Sequence, residues 1–464
     1  MILVFSNLIF AAVFLPLVFA LYYICKNITY RNTIIVISSL VFYAWGEPSL
    51  VIMLAVSLIL NYTYGRLIDK FYAKSGARIA FIAALITNFG FLGVFKYAGF
   101  FVQNLNMILP VKIPDPHISL PLGISFYTFQ ILSYIIDLYK GRVKVQKSFL
   151  KFAGYVTMFP QLVAGPIVRY ADVAAELDDR TVTVDDFADG AKRFTAGLCK
   201  KLLLANNAGS VASMLLDNSN MAVGTAWLGV LMYTFQIYFD FSSYSDMAIG
   251  LGRMFGFHFM ENFNYPYISK SITDFWRRWH ISLSTFFRDY VYIPLGGNRY
   301  KPIRNLFVVW FLTGMWHGAS WNFILWGLFY GVFLFIEKSS YKKFLMKLPV
   351  PICYIYTMFF VMVGWALFYY TDTAQLMNWF VHAFGGNGTP GYDLVTVTTL
   401  CSNAWLIAAC VLGSTPFPNW LYRKVCSIKN VGIWFEPLCL LAAFIVCYAV
   451  MVGSTYNPFL YFRF

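Results

Sequence analysis

The chain has 464 residues, of which 59% are hydrophobic and only 12% charged, with a formal net charge of +14. A water-soluble globular protein carries about 25% charged residues, so composition excludes a soluble enzyme. Many windows approach or exceed the roughly 20 apolar residues that cross a bilayer. The sequence therefore predicts an all-α polytopic membrane protein, and residues 1–464 read as a single integral domain because no polar stretch is long enough for a second one.

In chain order, Leu3–Tyr23 comes first. It has no basic leader and no small-residue cleavage site, and is expected to be a retained helix rather than a signal peptide. Thr33–Trp45, Leu50–Leu67, Ile79–Phe100 and Leu120–Tyr139 follow as apolar spans. Lys and Arg cluster at Lys26–Arg31, Arg66–Arg78, Lys140–Lys147, Lys192–Lys201, Arg253–Arg304, Lys338–Lys347 and Arg423–Lys429. The turns between them are nearly free of positive charge. That alternation is the positive-inside pattern and assigns the clusters to the cytoplasm. They also suit contact with anionic membrane lipid; no nucleic acid is expected. The count places the amino terminus outside. Val431–Val452 leaves a basic cluster, so residues 455–464 are expected to form an external aromatic tail. Roughly ten to twelve crossings follow.

Three stretches do not fit simple spans. Phe152–Val168 is apolar but interrupted by Pro160, Gly165 and Pro166. It reads equally as a re-entrant or an interfacial segment, since irregular backbone at membrane depth must be buried in protein or line a cavity. Ala171–Asp189 is the main polar, acidic loop. Gly224–Gly252 carries Asp240 and Asp246 in an aromatic context, and two such carboxylates should be paired or face water.

Chemistry centres on histidine, of which there are five. His317 lies in Thr313–Ser320 with apolar sequence from Leu306 to Ile336 around it. An ionisable group at membrane depth is a functional-site candidate by default. The second unusual segment is Asp274–Tyr290, continuing to Arg299. It is aromatic, basic and amphipathic, and reads on composition as an interfacial helix. As a helix it would place His280, Ser284 and Arg288 on one face. A pair of histidines can act as general bases, metal ligands or a proton relay. The metal reading lacks support, because no HExxH and no ligand-like spacing of His, Cys or carboxylate is present. The eight cysteines form no CxxC pair. A proton-coupled transporter using Asp240, Asp246, His280 and His317 stays open.

The run Phe275–Ser284, with Arg288–Tyr290, Leu295–Arg299 and Met315–Ala319, resembles the membrane-bound O-acyltransferase (MBOAT) family, in its bacterial alginate O-acetyltransferase-like branch. Pro121–Phe126, Phe159-Pro160, Ala164–Pro166 and Tyr238–Gly250 match in order. The teichoic acid D-alanyl transfer proteins look like a more distant branch. The resemblance implies a ring of membrane helices around a thinned centre with funnels from both sides, and no bound cofactor or metal. It implies a catalytic role for His317 and a functional one for His280. An acetyl-CoA or other acyl thioester would be the donor. Trp276, Arg277, Arg278, Ser284, Arg288, Asp289, Asn298, Trp316, Asp240 and Asp246 are the candidate donor-binding or channel-lining residues. By charge alone, Arg277, Arg278, Arg288 and Arg299 suit phosphate or an acidic carrier protein.

The function so implied is transfer of an acetyl group across a bacterial inner membrane for O-acetylation of an exported polysaccharide. The partners would be an extracytoplasmic SGNH-type acyltransferase and polysaccharide export machinery. The alternatives are transfer of another acyl group, such as D-alanine from a carrier protein, and the proton-coupled transporter. The closing run Tyr456–Phe464 resembles the aromatic carboxyl-terminal motif of small peptides that accompany the D-alanyl transfer proteins. By that resemblance Tyr461 is a candidate acyl carrier; the bland reading is an interfacial aromatic anchor.

Overall fold

The computed structural model describes residues 3–338, 347–429, 431–453 and 459–460. Among them every regular element is helical. The chain divides into two compact units, Met1–Phe194 with Ser245–Met260, and Thr195–Tyr244 with Glu261–Phe464.

The first unit contains α1 (Leu15–Ile24), α2 (Ile28–Gly46), α3 (Val51–Lys70), α4 (Ser75–Leu92), α5 (Ala98–Ile108) and α6 (Ile124–Tyr139). It continues with α7 (Phe149–Thr157), α8 (Phe159–Leu162), α9 (Tyr170–Asp178) and most of α10 (Val184–Cys199). The apolar helices α3 and α4 are locked by reciprocal amides. Asn88 Nδ2 donates to Asn61 Oδ1 at 2.7 Å, and Asn61 Nδ2 returns a bond at 3.3 Å. Such polar pairs hold helices together where lipid offers no hydrophobic drive.

The interrupted segment after α7 is buried throughout, from Met158 to Val168. Phe159 N–H finds the Ser39 hydroxyl at 2.9 Å, so the freed backbone is satisfied inside protein. Gly123 turns into α6 at φ +70°, and a Cβ there would meet the Leu162 carbonyl oxygen at 2.5 Å. The acidic stretch expected as a loop is largely helical. Thr183 and Asp186 cap α10 reciprocally, with Asp186 N–H on the Thr183 hydroxyl at 3.0 Å and Thr183 N–H on the carboxylate at 3.2 Å. That capping box turns acidic residues into a helix start.

The second unit contains α11 (Asn206–Leu216), most of α12 (Val223–Met254), α13 (Ile272–Arg278), α14 (Ile281–Phe287), α15 (Pro302–His317) and α16 (Trp321–Lys338). Beyond these lie α17 (Val350–Tyr369), α18 (Thr373–Ala383), α19 (Leu394–Ser402), α20 (Ala404–Gly413), α21 (Phe417–Cys426) and α22 (Val431–Gly453). Among the described residues, four helical stretches are long and apolar enough to cross a membrane alone: Pro48–Lys70, Ser75–Ile108, Val350–Tyr369 and Val431–Gly453. The pair α19 and α20, bent by 61°, makes a fifth if taken as one span. Sequence patterning gives ten to twelve crossings. The difference arises because much of the remaining apolar sequence is cut into shorter or more polar helices. Phe10–Ile24, for example, is an apolar helix too short to count alone, with its first turn, Phe10–Phe14, in π geometry.

Candidate active site

Residues 262–338 build the site. The motif that reads as one amphipathic helix is broken in two. α13 ends at Arg278, and His280 takes a left-handed backbone, φ 45° and ψ 56°, ahead of α14. For a non-glycine residue this costs about 1–2 kcal/mol, and it persists only where the surroundings enforce it. Asn262 enforces it. Its backbone carbonyl accepts Ile281 N–H at 2.9 Å. Its side-chain Oδ1 accepts Ser282 N–H at 3.2 Å and the Ser282 hydroxyl at 2.9 Å, and lies 3.0 Å from His280 Nδ1.

This geometry fixes the histidine tautomer. A backbone N–H only donates, so the Asn262 atom facing Ser282 N–H is the oxygen. His280 Nδ1 then donates to that same oxygen, and the lone pair of the neutral ring sits on Nε2. Asn262 is fully buried and His280 is 1% exposed. The expected single face of His280, Ser284 and Arg288 is thus not a helix face. His280 precedes α14, Ser284 lies within it, and Arg288 opens a π-turn, Arg288–Tyr292. The three are nevertheless brought to one cavity.

His317 is the last residue of α15 and is 4% exposed. Its ring meets those of Trp326, Trp316 and Phe368 edge-on, at centroid distances of 4.8, 4.9 and 5.2 Å. Trp316 also meets His280 at 5.8 Å, so one indole touches both histidines. α15 and α16 approach too closely for side chains. A Cβ on Gly327 would fall on the Trp310 carbonyl oxygen, and one on Gly314 on that of Phe323.

His280 and His317 line the same cavity of about 230 Å³. Trp276, Leu283, Phe287 and Trp310 supply apolar wall, and Arg277, Arg288 and Lys338 supply positive charge. The three cations are exposed while the histidines are buried, so the lining combines solvent-facing positive charge with enclosed imidazoles. Arg288 is held by Asp289, Nε to Oδ1 at 2.6 Å and Nη2 to Oδ2 at 3.2 Å. Lys338 Nζ donates to Tyr292 Oη at 3.1 Å, and Tyr292 Oη donates to Asn298 Oδ1 at 2.8 Å. Among the described residues, Arg277 and Lys338 have no carboxylate partner.

Other candidates stand elsewhere. Arg278 Nε turns to Asp274 at 3.0 Å, and neither Arg278 nor Arg299 lines the cavity. Asp240 and Asp246 are each paired, Asp240 with Lys201 at 2.5 Å and Asp246 with Arg193 at 2.8 Å. Neither carboxylate lines the cavity. Tyr461 lies outside the described residues.

Sequence reading missed four supports. Asn262 is the first, and nothing in Glu261–Asn264 singles it out. Lys338 is the second. Glu337, the third, is 3% exposed and accepts Ile272 N–H and Thr273 N–H, both at 2.7 Å. It caps α13, the helix that carries Trp276 and Arg277. A carboxylate closing a long apolar run was a visible signal for it. The fourth, Asn305, donates to the carbonyls of Tyr300 and Gly297 at 2.6 and 3.0 Å, fastening the glycine turn to α15.

Comparison with known proteins adds to this geometry. Residues 140–388 match the family described as MBOAT, membrane-bound O-acyltransferase family. The chain is 45% identical over 373 residues to the probable alginate O-acetylase AlgI of Pseudomonas aeruginosa, which covers 79% of this chain and 72% of that protein. The probable alginate O-acetylase AlgI of Pseudomonas putida is 38% identical over 485 residues, covering 99% of this chain and 100% of its own length. The peptidoglycan O-acetyltransferase of Helicobacter pylori is 36% identical over 405 residues, covering 79% and 77%.

Proposed function

The chain belongs to the membrane-bound O-acyltransferase family, and from that premise we propose that it moves an acetyl group from a cytoplasmic thioester across a bacterial inner membrane to O-acetylate an exported polysaccharide. The observation that carries this reading is the shared cavity, lined both by two buried imidazoles and by exposed cations. A thioester of coenzyme A or of a carrier protein suits that lining, with phosphate near the carrier and an uncharged acyl end. Arg277 and Lys338 take the phosphate-bearing portion, and the acyl end reaches His317.

A hydroxyl attacks a thioester poorly until a base takes its proton, which is worth about 10² to 10⁴ in rate. His317 is that base. The hydroxyl oxygen bonds to the acyl carbon while its proton passes to His317; the carbon–sulfur bond breaks, and the thiolate leaves with that proton as free thiol. The carbonyls at the end of α15 favour the transient positive charge on the imidazole. The hydroxyl is that of Tyr461, which carries the acetyl group as a phenyl ester, a good leaving group for onward transfer. An extracytoplasmic SGNH-type acyltransferase then receives it, with both termini of this chain on its side of the membrane.

His280 has a narrower role. With Nδ1–H committed to Asn262, its neutral ring offers a lone pair rather than a proton at Nε2. It accepts a hydrogen bond from the donor or relays a proton; it does not serve, while neutral, as an oxyanion donor.

The test is purified protein in liposomes supplied with acetyl-CoA, followed by free-thiol release and peptide mass spectrometry. Thiol release abolished in His317→Ala, with an acetyl increment on Tyr461 in the wild type, is the expected result. Substrate flux without thioester consumption would return the transporter reading. A donor preference for D-alanyl carrier protein would replace acetyl with D-alanyl.

A further inference from the structure

We propose that Asp240, its charge balanced by Lys201, is the seat of Phe459 and Leu460 and a positioning residue for acyl transfer. The positioning role rests on the carrier reading of Tyr461 above; the seat itself rests on geometry alone. The Asp240 and Lys201 side chains are 2% and 4% exposed and 2.5 Å apart. Lysine occupies Oδ1 of the carboxylate. The other oxygen, Oδ2, accepts the backbone N–H of Leu460 at 2.8 Å.

Two further contacts and the burial of both residues repeat the association. The ring of Phe459 lies 4.9 Å from that of Tyr244, one turn along α12 from Asp240. The Lys201 ammonium stands 5.8 Å from the Phe459 ring centroid. Phe459 and Leu460 are 7% and 6% exposed, although both are far in sequence from the helix that holds them. A buried ion pair is no better for stability than well-packed apolar residues. A charge kept inside a membrane protein is therefore a candidate for function. Here the lysine neutralises the carboxylate and leaves its second oxygen to bind a backbone N–H, a group every non-proline residue offers.

The seat is also one residue along α12 from a contact of His280. Phe241, the next residue of α12, packs edge-on against His280 at 4.7 Å. Consecutive residues of one helix thus hold Leu460 and support His280. Tyr461 follows Leu460 in the chain, so fastening Leu460 at Asp240 limits where the carrier hydroxyl can travel.

Hydrogen–deuterium exchange of the terminal peptide in the full-length purified protein tests the seat. In Lys201→Met with Asp240→Leu, that peptide should exchange about tenfold faster or more, with α15 and α16 unchanged as a fold control. In Lys201→Met with Asp240→Asn, which keeps an acceptor oxygen and no net charge, exchange should stay within about threefold of wild type. Leu460→Pro deletes the N–H and leaves the bundle intact, so it keeps the test decisive if the double variants do not fold. It too should release the peptide. Unchanged exchange in Leu460→Pro or in the leucine variant overturns the seat. Thiol release is read in parallel. A freed terminal peptide with undiminished transfer leaves the seat standing and removes the carrier reading. Tyr461→Phe should do the reverse, keeping protection and losing transfer.

Discussion

His280 and His317 line one cavity, and both touch aromatic rings, yet the supports that surround them differ. His280 sits in a strained backbone at a helix break and is tied by hydrogen bonds to one buried side chain, Asn262. His317 ends an unbroken helix and is fixed by rings on several sides and by two glycines that let α15 and α16 touch. The first support is chemical and can be cut without changing any volume. The second is steric and fails when volume changes. For the base proposed at His317, steric confinement holds the ring in place among its aromatic neighbours. A residue that must present one nitrogen in one state gains from a tautomer lock.

The largest effect should follow loss of the base itself. His317→Ala is expected to lower thiol release by about 10² to 10⁴; if His280→Ala costs more than His317→Ala in the same assay, the two roles are exchanged. Next comes the lock. Asn262→Leu preserves size and removes the acceptor, and is expected to lower kcat by about 10²-fold, the scale of an ångström-level misplacement. Asn262→Asp keeps an acceptor and should retain more activity than leucine; equal loss in both would mean that Asn262 serves packing rather than the tautomer. Third is the steric support. Gly327→Ala should cost about 1–3 kcal/mol by overpacking, seen as a lower thermal midpoint in detergent, whereas Asn262→Asp should change that midpoint less. The smallest effect belongs to the exposed cations. Arg277→Ala and Lys338→Ala should each raise the donor KM by about threefold to tenfold, on the scale of about 1 kcal/mol for an exposed charge, and the effect should shrink in high salt. A fall in kcat alone would place these cations at the chemistry instead of at the entrance.

Much of this was legible in the sequence, for definable reasons. Composition and apolar runs are sufficient for an all-helical membrane protein, and His317 stands out because a titratable group in apolar sequence is costly. The order of the Trp-His motifs marks His280. What failed to show is the break between α13 and α14. The residues from Asp274 to Tyr290 have no proline or glycine, so local propensity favours one continuous helix. The break comes from tertiary bonds to Asn262, which lies 18 residues earlier, and no periodicity encodes it. Lys338 and Glu337 were hidden for a related reason. They read as the polar end of α16, and only the fold brings one to the cavity and the other to the start of α13. The pairing of Asp240 and Asp246 was anticipated in kind, but the partners, Lys201 and Arg193, are fixed by packing alone.

The seat at Asp240 also bears on how the protein is made. Synthesis runs from amino to carboxyl end, so Lys201 and Asp240 are both in place long before Leu460, which follows Asp240 by 220 residues. Their ion pair can form as soon as α12 is inserted, while the bond to Leu460 waits for the 220 residues that follow Asp240. A chain interrupted before Leu460 keeps the ion pair but leaves the buried carboxylate without this bond, a loss of about 1–3 kcal/mol.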